Sequence, residues 1–221
     1  MTTYQGVLRR LRRIKRGGDS GLTLAELMVT MVLLGIVGSI MATTLVTVTN
    51  TITKTQARAD SLDVARIGMA RLTKNVRSGM AIQQAGAADK PPFAEIGPNR
   101  LTVYASLGTV PTMITYSING NRELVEQWYT GNAASNPYWT FTGTPRTTVI
   151  ARKIPTGTTL FTYYDYNGAL LANQTSTNVT DLAQVRSVKI DLTVDVDPLR
   201  AGGPVTVSST VVLPNLGIAK R

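Results

Sequence analysis

The chain has 221 residues, a net charge of +10, no cysteine and no histidine. Its length suits one or two domains. Lack of cysteine excludes disulfides, thiolate nucleophiles and Cys-based zinc sites. Lack of histidine excludes a Ser-His-Asp triad and imidazole metal ligands. A strongly basic chain points toward nucleic acid or an anionic membrane, unless the charge is localised. It is localised. Residues 1–21 carry Arg9, Arg10, Arg12, Arg13, Lys15 and Arg16 against Asp19, for a net +5. Residues 54–77 carry Lys54, Arg58, Arg66, Arg71, Lys74 and Arg77 against Asp60 and Asp63, for a net +4. Residues 78–221 hold 11 basic and 9 acidic groups, so the bulk of the chain is close to neutral.

The basic leader, residues 1–21, runs into the stretch 27–48, LMVTMVLLGIVGSIMATTLVTV. No charge lies between Glu26 and Lys54. A bilayer core needs about 20 apolar residues of helix, and this run is long enough. Six basic residues ahead of it hold the N-terminus in the cytoplasm by the positive-inside rule. Residues 22–53 therefore read as a transmembrane or assembly half-helix.

Leu62, Ala65, Met69, Leu72 and Val76 then recur at spacings of 3 and 4, one face of an amphipathic helix. With no proline before Pro91, the pattern predicts one helix from about Leu22 to about Arg77. Such a helix is on the order of 80 Å long. Residues 54–79 form its amphipathic half, and Gly79 is the predicted C-terminal stop. The threonines Thr43 to Thr55, with Gly35, Gly38 and Gly68, weaken helix propensity and favour local unwinding in the membrane half.

Residues 80–221 change character. All 10 prolines fall at Pro91 or later, and between Tyr4 and Phe93 there is no aromatic. Alternating patterns predict strands at 101–105, 113–118, 123–129, 147–151, 159–164, 185–196 and 205–213. Asn119-Gly120 and Asn167-Gly168 suit tight hairpin turns. No helix-length apolar period appears. The fold class is α+β, a long N-terminal helix packed on an antiparallel β-sheet head. Phe161, Tyr163, Tyr164, Tyr166, Trp128 and Trp139 are the candidate core aromatics.

The junction Gly21-Leu22-Thr23-Leu24-Ala25-Glu26, behind a basic leader and before a long apolar run, resembles the signal of type IV pilins and pseudopilins. The resemblance implies cleavage by a prepilin peptidase between Gly21 and Leu22 and N-methylation of Leu22, where the family usually has Phe. It implies that Glu26 sets register with neighbouring subunits during assembly. It also implies a pilin-like head. Independently of the family, an acidic residue in lipid costs roughly 2–3 kcal/mol and calls for a partner. The cleaved Leu22 α-amine, on the same or a neighbouring chain, is the nearest cation. A secretory signal peptide fits less well, because its apolar region spans about 7–15 residues. A plain signal anchor on a periplasmic or extracellular enzyme stays open.

Three head segments resemble the minor pilin group PilW and the type II secretion minor pseudopilin J. They are 70–77 (ARLTKNVR), 160–168 (LFTYYDYNG) with the later strand 185–192 (VRSVKIDL), and the tail 209–216 (STVVLPNL). Pro214 stands where that group commonly has Arg.

Other constellations have plain readings. Asp191, Asp195 and Asp197 fall on one face of a predicted strand, either a calcium ligand set or a solvated face, and the solvated face is preferred. Asp165-Tyr166-Asn167-Gly168 reads as a turn. Glu123 and Glu126 point to opposite strand faces and make a poor acid–base pair. The helix cations read as a solvated or subunit-facing surface in preference to a DNA contact. Gly35, Gly38 and Ala42 form a small-residue face.

The expected protein is a minor structural subunit of a type IV pilus or a type II-secretion-like pseudopilus, tip-associated, and not an enzyme. It is a single-pass protein of the cytoplasmic membrane with the head outside, then part of a pilus or pseudopilus at the cell surface or envelope. Expected partners are the prepilin peptidase, other pilin or pseudopilin subunits and membrane lipid. No cofactor, metal or small-molecule substrate is expected, and nucleic acid is disfavoured. The alternative is a membrane-anchored adhesin or DNA-capture domain that never polymerises.

Overall fold

The computed structural model describes residues 22–197 and 203–213. They fall into two compact units that divide between Asn50 and Thr51. Helix α1 (Leu24–Arg77) contributes to both.

In the first unit every described residue from Leu22 to Asn50 is exposed. The expected unwinding is not found, because α1 is unbroken here. The hydroxyl residues are satisfied within the helix. Thr44 Oγ1 donates to the Ile40 carbonyl at 2.8 Å and Thr49 Oγ1 to Leu45 at 2.9 Å. Ser39 Oγ donates to Ile36 at 2.8 Å. Back-bonding of this kind hides a polar group against the helix's own backbone, which offsets the propensity cost of β-branching.

The second unit builds its head on three antiparallel sheets. Strands β1 (Ile82–Gln84) and β2 (Ala87–Lys90) form a small hairpin. Strands β3 (Phe93–Ile96), β4 (Arg100–Ala105), β5 (Thr112–Ile118), β6 (Leu124–Thr130) and β7 (Arg146–Ala151) form a meander in chain order. Strands β8 (Phe161–Tyr164), β9 (Ser187–Val194) and β10 (Val205–Val212) form the third sheet, with β9 central. A short helix α2 (Val179–Gln184) precedes β9. The α+β class is as expected, and the predicted strands are present with shifted ends.

One core joins α1 to the two larger sheets. Ala65, Met69, Leu72 and Val76 meet Leu101, Ile114 and Leu124 on one side and Phe161, Ile190 and Leu192 on the other. The buried stripe differs from the expected one. It runs Ala57, Ser61, Ala65, Gly68, Met69, Leu72, Asn75 and Val76, and Leu62 is only half-buried. Ser61 takes the buried place because its Oγ is fully occupied. It donates to the Ala57 carbonyl and accepts from the Val196 amide at 3.1 Å. Gly68 allows close approach: a Cβ there would stand 3.0 Å from both Ile150 Cγ2 and Leu192 Cδ2. One residue of each larger sheet thus closes on the helix at Gly68.

A polar network also crosses from helix to sheet. Glu126 on β6 is fully buried. Its Oε1 accepts from Tyr116 Oη at 2.8 Å and from Asn75 Nδ2 at 3.0 Å, and its Oε2 pairs with Arg71. Glu123 lies just before β6 and pairs instead with Arg152 at 3.0 Å. The two glutamates are apart in role, as the alternation implied, but the burial of Glu126 was not foreseen.

Several local expectations need correction. Gly79 ends α1 without a left-handed cap. Its amide bonds the Val76 carbonyl, it bridges to Ala105, and a Cβ would fall 2.8 Å from Leu213 Cδ2. At Asn119-Gly120 the hairpin is longer than two residues, and the positive φ falls on Arg122. Asn119 Oδ1 holds that loop by accepting from the Asn121 and Glu123 amides. At Asn167-Gly168 the turn is as read, with φ 77° at Gly168 and Asp165 Oδ1 accepting two amides. Of the candidate core aromatics only Phe161 and Tyr163 are buried, while Tyr166 is 75% exposed; Tyr116 and Phe93 fill the core instead. Helix α2 is only one and a half turns long, too short for a period, and is set by Asn178, whose side chain caps Thr180 N at 2.9 Å. Strands β1 to β3 are three or four residues long and were missed for the same reason.

Two predictions follow from this packing. Gly68→Leu forces the helix off both sheets and should destabilise the protein by about 2 kcal/mol, read by chemical denaturation of the detergent-solubilised chain. Wild-type stability would contradict the close-approach argument. The second concerns alkaline pH. Burial raises the Tyr116 and Tyr163 phenols well above their ordinary value of 10.0, and the Glu126 charge raises Tyr116 further. A folded-state value above the unfolded one means the stabilisation is complete below about pH 10 and is lost as pH rises beyond it. Stability should therefore fall above pH 10, and Tyr163→Phe should make that fall shallower.

Candidate functional site: the capped start of the apolar helix

The sequence-predicted site residues are Gly21, Leu22 and Glu26. Gly21 and the rest of the leader lie outside the described residues. Leu22 is 70% exposed immediately ahead of the helix. Glu26 lies in the first turn.

Thr23 and Glu26 form a reciprocal cap. Glu26 Oε2 accepts from the Thr23 amide at 3.0 Å and from Thr23 Oγ1 at 3.0 Å, while the Glu26 amide donates to Thr23 Oγ1 at 3.2 Å. This is a capping box, in which two backbone N–H groups that a helix start leaves without partners are satisfied at once. The acidic side chain also faces the positive end of the helix dipole. The Thr-x-x-Glu spacing carries this arrangement in the sequence, and it was read only for its charge. Only Oε2 of the carboxylate is used in the cap.

Behind the cap lies a helical surface that none of the described residues covers. Leu27, Val32, Leu33, Ile36, Val37, Ile40 and Leu45 are each at least 46% exposed. Contiguous exposed apolar area of this extent marks a membrane or protein contact. By length and composition α1 is able to cross a membrane. At Gly35 and Gly38 an added Cβ would meet nothing within 4 Å.

Residues 16–42 match a family model described as prokaryotic N-terminal methylation motif. The chain carries a type IV pilin-type signal. Such a signal marks a pilin-like precursor processed by prepilin peptidase, and with the apolar helix it accords with membrane anchoring. No curated protein and no solved structure matches the chain. The matched segment ends within α1, so the head segments that resemble PilW and pseudopilin J gain nothing from it.

The other candidate constellations resolve differently. Strand β9 ends at Val194, so Asp195 and Asp197 lie beyond it and the three aspartates do not share a strand face. Asp191 is committed: its carboxylate bonds Lys189 at 2.9 Å and accepts from Ser208 Oγ at 2.6 Å. Burial alone would raise its carboxyl, but these two partners hold it below the ordinary value. Among the described residues no group of three acidic side chains could hold a metal. Pro214 to Leu216 of the tail lie outside the described residues. Of the helix cations, Lys54, Arg58, Arg66, Lys74 and Arg77 are exposed as expected. Arg71 departs from that reading, because its guanidinium pairs with the buried Glu126.

Proposed function

We propose that this protein is a minor structural subunit of a type IV pilus or type II-secretion-like pseudopilus. It inserts as a precursor with its basic N-terminus in the cytoplasm and its head outside. Prepilin peptidase cuts between Gly21 and Leu22, Leu22 is N-methylated, and the mature chain assembles through its apolar half-helix, residues 22–53. The observation that carries this reading is the methylation motif at residues 16–42 running directly into an uncovered apolar helix.

The geometry at the helix start supports a role for Glu26 in assembly. Cleavage creates an α-ammonium on Leu22, one residue from the capped Thr23. Oε2 of Glu26 holds the cap, which leaves Oε1 to accept from an ammonium of its own or a neighbouring chain. The small residues Gly35, Gly38 and Ala42 suit close approach of a second helix. The head, residues 80–221, then lies outside the membrane-embedded part.

Mass spectrometry of the chain co-expressed with its peptidase should find Leu22 as the mature N-terminus, heavier by one methyl group. An intact leader, or a cut elsewhere, defeats the proposal. Glu26→Ala should leave insertion and cleavage intact but reduce incorporation into filaments at least tenfold. Glu26→Gln keeps a capping acceptor and loses the charge. It should fail like Glu26→Ala if ion pairing drives assembly, whereas wild-type incorporation of Glu26→Gln would reduce Glu26 to a cap.

A further inference from the structure

Strand β7 is an edge of the five-stranded sheet, and Arg146 and Thr148 of its first half line a cleft together with Arg71 of the helix. Register fixes which side chains meet there. Trp128 is opposite Arg146, and Glu126 is opposite Thr148. Glu126 faces α1, since it bonds Asn75 and Arg71. Side chains two apart on a strand share a face, so Trp128, Arg146 and Thr148 are on that face as well. Further along the same face, Ile150 closes on Gly68. Before that closure a cleft of about 220 Å³ is left open, lined by Arg71, Trp128, Arg146 and Thr148.

The chemistry of this cleft is unbalanced. Two guanidiniums line it, and one carboxylate, that of Glu126, pairs with the first of them. Arg71 spends its charge on Glu126 and sits 5.8 Å over the Trp128 ring, with its side chain still 41% exposed. Arg146 has no ion pair or hydrogen-bond partner among the described residues, and neither has the Thr148 hydroxyl. The Trp128 Nε1–H is buried without an acceptor. Glu126 Oε2 takes no hydrogen bond beyond its ion pair with Arg71, so the polar groups left without an ionic partner are donors or can act as donors. A guanidinium presents several N–H groups in a plane that suits a two-oxygen anion. The aromatic floor excludes water on one side, which strengthens such a contact.

We propose that this cleft is an oxyanion site, taking a carboxylate or phosphoryl group through Arg146, Thr148 and the free edge of Arg71. Glu126 has a defined part in it. By neutralising Arg71 it leaves a net single positive charge, which suits one anionic group. The site is independent of cleavage and of filament assembly.

The test uses the full chain in detergent. Trp139→Phe leaves Trp128 as the sole tryptophan. Sodium acetate and sodium phosphate are titrated separately against sodium chloride at constant ionic strength, following Trp128 emission. The unfolding midpoint of the chain with both tryptophans is followed in parallel. At least one of the two anions should produce a saturable change in emission and a rise in midpoint. Acetate as the active probe identifies carboxylate chemistry, and phosphate identifies phosphoryl chemistry. Arg146→Ala, on an exposed and unpartnered position, should weaken the response at least tenfold. Arg152→Ala, an exposed arginine on the same edge but paired with Glu123, should leave it unchanged. No saturation with either anion, an undiminished response in Arg146→Ala, or equal losses in both arginine variants overturns the proposal.

Discussion

From Leu27 to Val48 the chain carries no charge, and none of the described residues covers it. That uncovered apolar surface is the constraint to which the N-terminal part answers. A buried carbonyl or hydroxyl in lipid has no water to turn to, so a spanning segment has to be helical and its polar side chains have to find partners inside it. The hydroxyls of Ser39, Thr43, Thr44, Thr47 and Thr49 do so by bonding carbonyls three or four residues back. Their β-branched frames, unfavourable for a helix in water, are thereby made compatible with it.

The second unit solves a different problem with the same helix. Its buried stripe opens with small residues, Ala57, Ser61, Ala65 and Gly68, and closes with large ones, Met69, Leu72 and Val76. Small residues bring backbone against sheet; large ones fill the widening space. Sliding the helix by a turn would bring Val64 or Leu72 against Ile150 and Leu192 in place of Gly68. It would also break the polar contacts. A one-turn slip would strand the buried Glu126 carboxylate without the partly exposed Arg71 guanidinium, and a buried charge left without its partner is destabilising. Tyr116 and Asn75 satisfy the other oxygen, so the network is complete in one register only.

What the sequence made legible follows from pattern length. The helix rests on more than fifty residues without proline and a 3–4 spacing, and both survive any local uncertainty. Strand β9 alternates along its whole length, with Val188, Ile190, Leu192 and Val194 buried, and reads directly. Strands β1 to β3 and helix α2 offer at most one or two alternations and left no signal, whereas β8, equally short, stands out by its β-favouring Phe161, Tyr163 and Tyr164. The site divides in the same way. The Gly21 to Glu26 junction is a local pattern and was readable. The Glu126 network joins residues 41 and 51 positions from Asn75, and only the fold brings them together. Leu62 was misplaced because a hydrophobicity pattern does not anticipate a serine whose hydroxyl finds both a donor and an acceptor in the core.

At Glu26 the capping of a helix start meets the cost of a charge beside an apolar span. A capping interaction is worth about 1 kcal/mol. An acidic group carried into the bilayer centre costs about 2.5–3.5 kcal/mol. The cap therefore explains why a helix begins at Leu24 but does not by itself offset immersion of the charge. The residue is tolerable at the membrane boundary, where that cost shrinks, or deeper if a cation joins it. The capping geometry leaves room for the second case. It fixes one carboxylate oxygen on Thr23 and so orients the other, which reduces the ordering cost that a later ion pair would otherwise bear. Order at the helix start thus precedes, and favours, any contact that Glu26 makes beyond its own chain.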